Sequence, residues 1–215
     1  MRARMLVLVM VLAAAGQAEI IDRIAVTVGK RVIAASDVAL EIRLSAFMNQ
    51  ATPDFSPGSK RKIADRLVER ALIQEEAELS RYPSPEASEA APALASLKQE
   101  QFSGDAAYRQ ALSSYVITEE DLNRYLLEQI AVSSFIDIRF GPSVQFLEDD
   151  LRAYYSERFV PQWKNRSRQP LPAFDAVRDQ VAGALRAERV NRLLDEWLKE
   201  AKGRARIVYK PEAFQ

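Results

Sequence analysis

The chain has 215 residues, 48% of them hydrophobic and 28% charged, a balance that fits one or two small globular units with a sizeable core. It contains no cysteine and no histidine, which excludes disulfides, Ser-His-Asp and Cys-His catalysis, and His/Cys zinc sites. Its 30 basic residues balance 30 acidic ones, so no global charge attracts nucleic acid and no nucleic-acid partner is expected.

Taken in order, the chain opens with Arg2 and Arg4, an apolar run from Met5 to Ala15, and the small residues Gly16-Gln17-Ala18. This pattern predicts a cleavable signal peptide over residues 1–18. The apolar run is short for a membrane span, so no permanent membrane anchor is expected, an uncleaved N-terminal anchor being the alternative. No cysteine follows it to carry a lipid. Export without disulfides points to a bacterial periplasm. Removing Arg2 and Arg4 lowers the basic count from 30 to 28 against 30 acidic residues, a net charge of −2.

Residues 19–215 are read as a single module with an N-terminal part (19–141), a linker helix and connector (142–172), and a C-terminal helix and strand (173–215). The β-branched run ending in Ile24-Ala-Val-Thr-Val28, the turn Gly29-Lys30, and Arg31-Val-Ile-Ala34 predict a hairpin. Ser36 is expected to cap a helix carrying Val38, Ile42, Leu44 and Phe47, with Asp37 at its positive dipole end. The prolines Pro53 and Pro57 end it in a loop over residues 51–58. Ser59 is expected to cap the next helix, whose Ile63, Leu67, Val68, Ala71 and Leu72 recur at three and four residues, and which stops before Tyr82-Pro83-Ser-Pro85. An alanine-rich helix over 88–101 and a short one over 106–113 follow. Thr118-Glu-Glu-Asp121 is a capping box opening a helix to Phe140, which Gly141-Pro142 stops. A further helix is expected from Val144 to Phe159, then a basic, proline-bearing connector from Val160 to Pro172.

The last helix should run from Phe174 through Ala201 and stop at Gly203. At about 100° per residue its stripe changes sides near Glu188: Val177, Val181, Ala184 and Leu185 share one face, and Val190, Leu193, Leu194, Trp197 and Leu198 another. Such a helix needs different neighbours along its two halves, as a spine would have. The segment Arg206 to Tyr209 is a lone strand, and its backbone groups need a partner. The N-terminal hairpin is that partner. The fold class expected is therefore mostly α, a helical module with a small β-sheet pairing the hairpin with a C-terminal strand.

This layout, with Val32-Ile33 and Ser36-Asp37 opening a helix and Asp65-Arg-Leu-Val-Glu-Arg-Ala-Leu-Ile73 in the second, resembles the N-terminal chaperone module of SurA and related parvulin-type proteins. Leu151-Arg-Ala-Tyr-Tyr155 with Phe159 is similar to the linker helix that leads, in that family, into a parvulin isomerase domain. The connector 160–172 has no room for such a domain, and the histidines characteristic of parvulin sites are missing. The resemblance implies a non-enzymatic periplasmic chaperone, a holdase, for unfolded outer-membrane or exported polypeptides. Prolyl isomerase activity is the least favoured reading. An apolar groove with polar rims would hold extended client segments, and no phosphate-binding Gly-rich loop implies a nucleotide cycle. The rival reading is a structural or adaptor subunit that binds one folded partner. The sequence leaves assembly open, a homo-oligomer included.

No catalytic, cofactor-binding or metal-binding residue is assigned. The acidic clusters Glu75-Glu76, Glu119-Glu120-Asp121 and Glu148-Asp149-Asp150 suit helix surfaces and helix N-termini better than a carboxylate pair. Lys164, Arg166 and Arg168 read as a solvated loop. The candidate peptide-binding residues are Phe47, Met48 and Phe55 at the end of one helix, and Tyr154, Tyr155, Phe159 and Trp163 on the approach to the connector. Each of these is also compatible with ordinary packing.

Overall fold

Strand β1 (Ile24–Val28) lies between β2 (Arg31–Ala34) and β3 (Ile207–Tyr209) in a three-stranded antiparallel sheet. A computed structural model describes residues 22–215, and the expected signal peptide lies outside the described residues. Gly29 turns the hairpin at φ +57°, the left-handed geometry a two-residue connection demands. Val26, Thr27 and Val28 face Ile33, Val32 and Arg31 on one side, and Tyr209, Val208 and Ile207 on the other. Backbone bonds extend the second pairing in both directions: Gly29 N–H donates to the Arg206 carbonyl at 2.9 Å, and Lys210 N–H to that of Ala25 at 2.9 Å. The mostly helical class and the pairing of the hairpin with the C-terminal strand are as expected.

The helices are α1 (Ala35–Met48), α2 (Pro57–Leu79), α3 (Ala90–Gln101), α4 (Asp105–Tyr115), α5 (Glu119–Phe140), α6 (Glu148–Tyr154), α7 (Val160–Arg166) and α8 (Phe174–Arg204). Two caps differ from expectation. Helix α1 begins one residue before Ser36, and Asp37 accepts a bond from Ala34 N–H at 2.8 Å. The Ser36 hydroxyl instead meets Asp22. Helix α2 is capped by Ser56, whose Oγ accepts from Ser59 N–H at 3.3 Å, with Pro57 in the first turn. Proline at that point lacks only an N–H the helix could not have used, so the start lies three residues earlier than a Ser59 cap implies.

Among the described residues, three apolar clusters divide the interior. The first packs the inner side of the sheet, with Val26 and Val28 fully buried, against α2, the end of α5 and the second half of α8. At its centre Phe135 meets Trp197 at 5.3 Å and Phe140 at 6.1 Å between ring centroids. The second cluster joins Leu44 and Phe47 of α1 to α3, α4 and the start of α5. The third gathers Leu151, Phe174, Val181 and Leu185. Helix α8 has 31 residues, about 46 Å at 1.5 Å per residue. It serves the third cluster with Val177, Val181 and Leu185 and the first with Val190, Leu193, Leu194, Trp197 and Leu198. The change of stripe thus marks a change of neighbours. Ala184 is exposed, and Ala182 takes the place expected for it.

The helix does not stop at Gly203. It continues to Arg204, and the chain leaves it at Ala205 in an extended conformation (φ −84°, ψ 142°). The demand of β3 for extended backbone ends the helix, so no left-handed glycine is required.

Helix α2 receives the returning C-terminus. Tyr209 Oη–H donates to Asp65 at 2.6 Å, the Arg61 guanidinium stacks 3.5 Å from the Tyr209 ring centre, and Lys202 pairs with Glu69 at 2.6 Å. Burial first, then the Asp65 carboxylate, pushes the Tyr209 phenol up to about 12. A phenol raised on folding contributes stability that is complete below the unfolded value of about 10 and lost as pH rises through the folded one. Denaturant titrations of the wild type should therefore show a loss between about pH 10 and about 12 that Tyr209→Phe reduces. Equal losses in both proteins would show that the Tyr209 hydroxyl is not what anchors β3.

Candidate functional site

The region from Val144 to Pro172 departs most from expectation, and the departure builds a site. Helix α6 starts at Glu148, where Asp150 accepts a bond from Leu147 N–H at 2.9 Å. Hydrogen bonding to that N–H holds the Asp150 carboxyl below its usual range, which gives the acidic run Glu148-Asp149-Asp150 its structural use. The helical path does not end at Phe159. Residues Tyr155–Phe159 form a wide π turn in which Val160 N–H reaches the Tyr155 carbonyl five residues back, and α7 continues to Arg166. The connector expected over 160–172 carries Pro161, and proline breaks a helix by lacking an N–H and by clashing with the preceding turn. The wide turn just before it, with Pro161 at the start of α7, absorbs both effects. The non-helical connector shrinks to residues 167–173.

This continuity aligns Tyr155, Phe159 and Trp163, four residues apart, into a ladder. Tyr155 stacks on Phe159 at 5.6 Å and 19°, and Phe159 on Trp163 at 5.7 Å and 21°. Residues four apart on an α-helix drift by about 40° around the axis, and the wider turn offsets that drift. All three rings are half-buried. Tyr155 also packs edge-on against buried Phe174, over which the Arg152 guanidinium lies 4.6 Å from the ring centre. The connector folds back along the ladder and is tied at both ends. Tyr155 Oη–H donates to the Pro172 carbonyl at 2.7 Å, and Trp163 Nε1–H to the Gln169 carbonyl at 3.2 Å.

The seven candidate residues therefore part company. Tyr155, Phe159 and Trp163 form one surface, with Tyr154 half-buried beside them in the third cluster. Phe47 is only 2% exposed, stacked on Phe102 at 5.6 Å and edge-on to Tyr115 at 5.5 Å. It is a core residue of the second cluster, with Met48 packed against that cluster, so it supports helices and does not line a groove. Phe55 is 40% exposed beneath Arg43. The four-residue spacing of Tyr155, Phe159 and Trp163 was a readable sign of the ladder, masked by the proline between the last two.

A concavity of about 300 Å³ opens between α1, α2 and α5, and sequence reasoning missed it. Its floor is a salt-bridge triad. Arg70 grips Glu41 with two bonds of 2.7 and 3.0 Å and donates to Glu128 at 2.6 Å. Burial opposes the Arg70 charge, but bonding to Glu41 and the charges of both carboxylates outweigh it and raise its pKa. Burial also pushes Glu128 up, against the pull of Arg70. With its polar groups mutually satisfied, the triad reads as a lock between three helices. No local signal could reveal it, because its members lie 29 and 58 positions from Arg70. Among the described residues, no group of three or more acidic side chains is placed to hold a metal ion.

Removing Arg70 strands two carboxylates, and Arg70→Ala should cost about 3 kcal/mol in chemical denaturation. Arg70→Met with Glu41→Leu and Glu128→Leu should recover most of that loss, since an apolar replacement is often no worse than a buried ion pair. A loss below about 1 kcal/mol for Arg70→Ala would place the triad with ordinary surface pairs. No protein-family model matches the sequence and no curated protein matches it at a significant level, so the SurA-like resemblance rests on the residues quoted for it.

Proposed function

We propose that the protein is a non-enzymatic periplasmic chaperone that holds unfolded outer-membrane or other exported polypeptides. The observation that carries this reading is the ladder Tyr155–Phe159–Trp163, whose two end residues seat the backbone of the chain's own connector by donating to two of its carbonyls. Bonds to main-chain carbonyls do not depend on the side chains of the bound segment. Flat aromatic rings add contact area at small entropic cost. Together they give weak, broad recognition of extended chains, which suits a client that must leave without a nucleotide-driven release. The resemblance to the SurA module and the export pattern at the N-terminus support the same reading. Among the described residues, no helix is long and apolar enough to cross a membrane.

One observation favours the adaptor reading. Val32, 56% exposed, and Ile24, 44% exposed, leave β-branched surface open on the sheet, and β2 is an edge strand. Such an edge can pair with a strand of another protein.

The two readings separate in one assay. A denatured outer-membrane β-barrel is diluted into buffer, and light scattering is followed with and without the mature protein. Suppression of scattering at molar excess is expected, reduced by Phe159→Ala with Trp163→Ala and unaffected by Val32→Lys. Unchanged scattering at excess protein would sink the holdase reading. A model prolyl peptide should isomerise no faster than it does uncatalysed, and any acceleration would contradict the non-enzymatic assignment.

A further inference from the structure

The connector touches the ladder in the way a proline-rich ligand touches an aromatic groove. Gln169-Pro170-Leu171-Pro172 places a proline after each of two residues, which fixes φ at both prolines and pushes Gln169 and Leu171 towards extended backbone. The chain bends at Gln169, and Ala173, the cap of α8, is extended at φ −61° and ψ 150°. Proline-rich segments favour the polyproline helix, which repeats every three residues, so that carbonyls at positions i and i+3 point to one side. The two carbonyls that accept bonds are those of Gln169 and Pro172, three apart.

Three residues of such a helix rise about 9 Å. The donors that meet them stand eight residues apart on their helix, about 12 Å of rise, a spacing that flexible side-chain tips can close. The chemistry is matched as well. Pro172 carries no N–H and the Gln169 N–H donates to Ser167 Oγ at 3.1 Å, so the strap presents carbonyls at the two contacts, and the ladder presents donors there, with apolar Phe159 between.

We propose that the ladder is a recognition site for extended segments of the type X-Pro-X-Pro, and that residues 169–172 of the same chain occupy it in cis as a resident competitor. This rests on the peptide-binding reading above and adds to it a ligand class and a means of restraint. The strap is lightly held. Arg168, Gln169, Pro170 and Leu171 are exposed, and only Pro172 and Ser167 are half-buried. Tethered at both ends, it acts at an effective concentration of about millimolar, which a segment supplied in trans must overcome.

The test uses a capped synthetic peptide, Ser-Arg-Gln-Pro-Leu-Pro-Ala, and a control in which both prolines are alanine. The chain has two tryptophans, so Trp197→Phe leaves Trp163 as the fluorescent reporter on the ladder. Anisotropy of a dye-labelled peptide repeats the measurement with both tryptophans present, so the result does not hang on that variant. Pro170→Gly with Pro172→Gly loosens the strap. The loosened protein should bind the proline peptide at least about tenfold tighter than the unaltered one does, the resident competitor having been weakened. It should also prefer that peptide to the alanine control by about tenfold. Adding Tyr155→Phe, which removes one donor, should weaken binding about fivefold.

Equal affinity with and without the strap changes, or no preference for proline, in protein with native circular dichroism would overturn the proposal. The light-scattering assay on the same variants keeps the two readings apart. Suppression without proline preference overturns this inference alone. Proline-peptide binding without suppression upholds the site and overturns the holdase reading.

Discussion

Pairing of Ile207–Tyr209 with Val26–Val28 brings together segments that are almost the whole chain apart. Closing so long a loop carries an entropic cost, but that cost grows only slowly with length, and the contacts made on closure are dense. Strand β1 gains its second partner, its fully buried valines gain a roof, and Tyr209, Arg61 and Asp65 interlock at the seam. Without β3, β1 and β2 would be a two-stranded ribbon, which is at best marginal in water. The first cluster would then lose the surface against which α2, α5 and α8 are arranged.

Helix α8 transmits this closure to the site. Its second half is committed to the sheet-bearing cluster through Trp197 and Leu198, and its first half carries Phe174, Val181 and Leu185 into the third cluster. A single rigid element therefore links the seam between the chain ends to the helix that bears the aromatic ladder. The connector is caught between the two. It must reach from Arg166 to Phe174 in seven residues, and the ladder gives its backbone carbonyls somewhere to go. The lock at Arg70 works elsewhere, binding α1, α2 and α5 by charge where the apolar clusters leave a cleft. The aromatic ladder lies on the side where packing of the third cluster is joined by ion pairs between α6 and α8, Arg178 with Glu148 at 2.8 Å and Arg189 with Asp150 at 3.2 Å.

Much of this was legible from local pattern. The hairpin boundaries, the Thr118 to Asp121 capping box, the end of α5 at Phe140, the partner of the last strand and the change of stripe along α8 all follow from signals a few residues long. Two caps were misplaced, at Ser36 and Ser59, because several Ser and Asp side chains compete within one turn, and only geometry shows which one accepts the orphan N–H. For the candidate site, the right residue types are visible, but Phe47 falls among the candidate groove residues although α3 and α4 bury it. Burial depends on what folds over a residue, and nothing near Phe47 in the chain says that Phe102, Tyr108 and Tyr115 will surround it.

The amino-acid order alone determined the helical class, the sheet that joins the two ends and the double role of the final helix, because periodicity, turn chemistry and unpaired strands act over short range and leave few ways to be satisfied. Only the tertiary structure decided that the helix would pass through Pro161, that the aromatic rings on either side would stack, and that residues 169–172 would lie along them. A proline is a local penalty, and packing of Tyr155 and Phe159 with Phe174 and α8 outweighs it by placing a wide turn where the missing hydrogen bond would have been. That balance is struck between segments distant in the chain, so no window of sequence contains it.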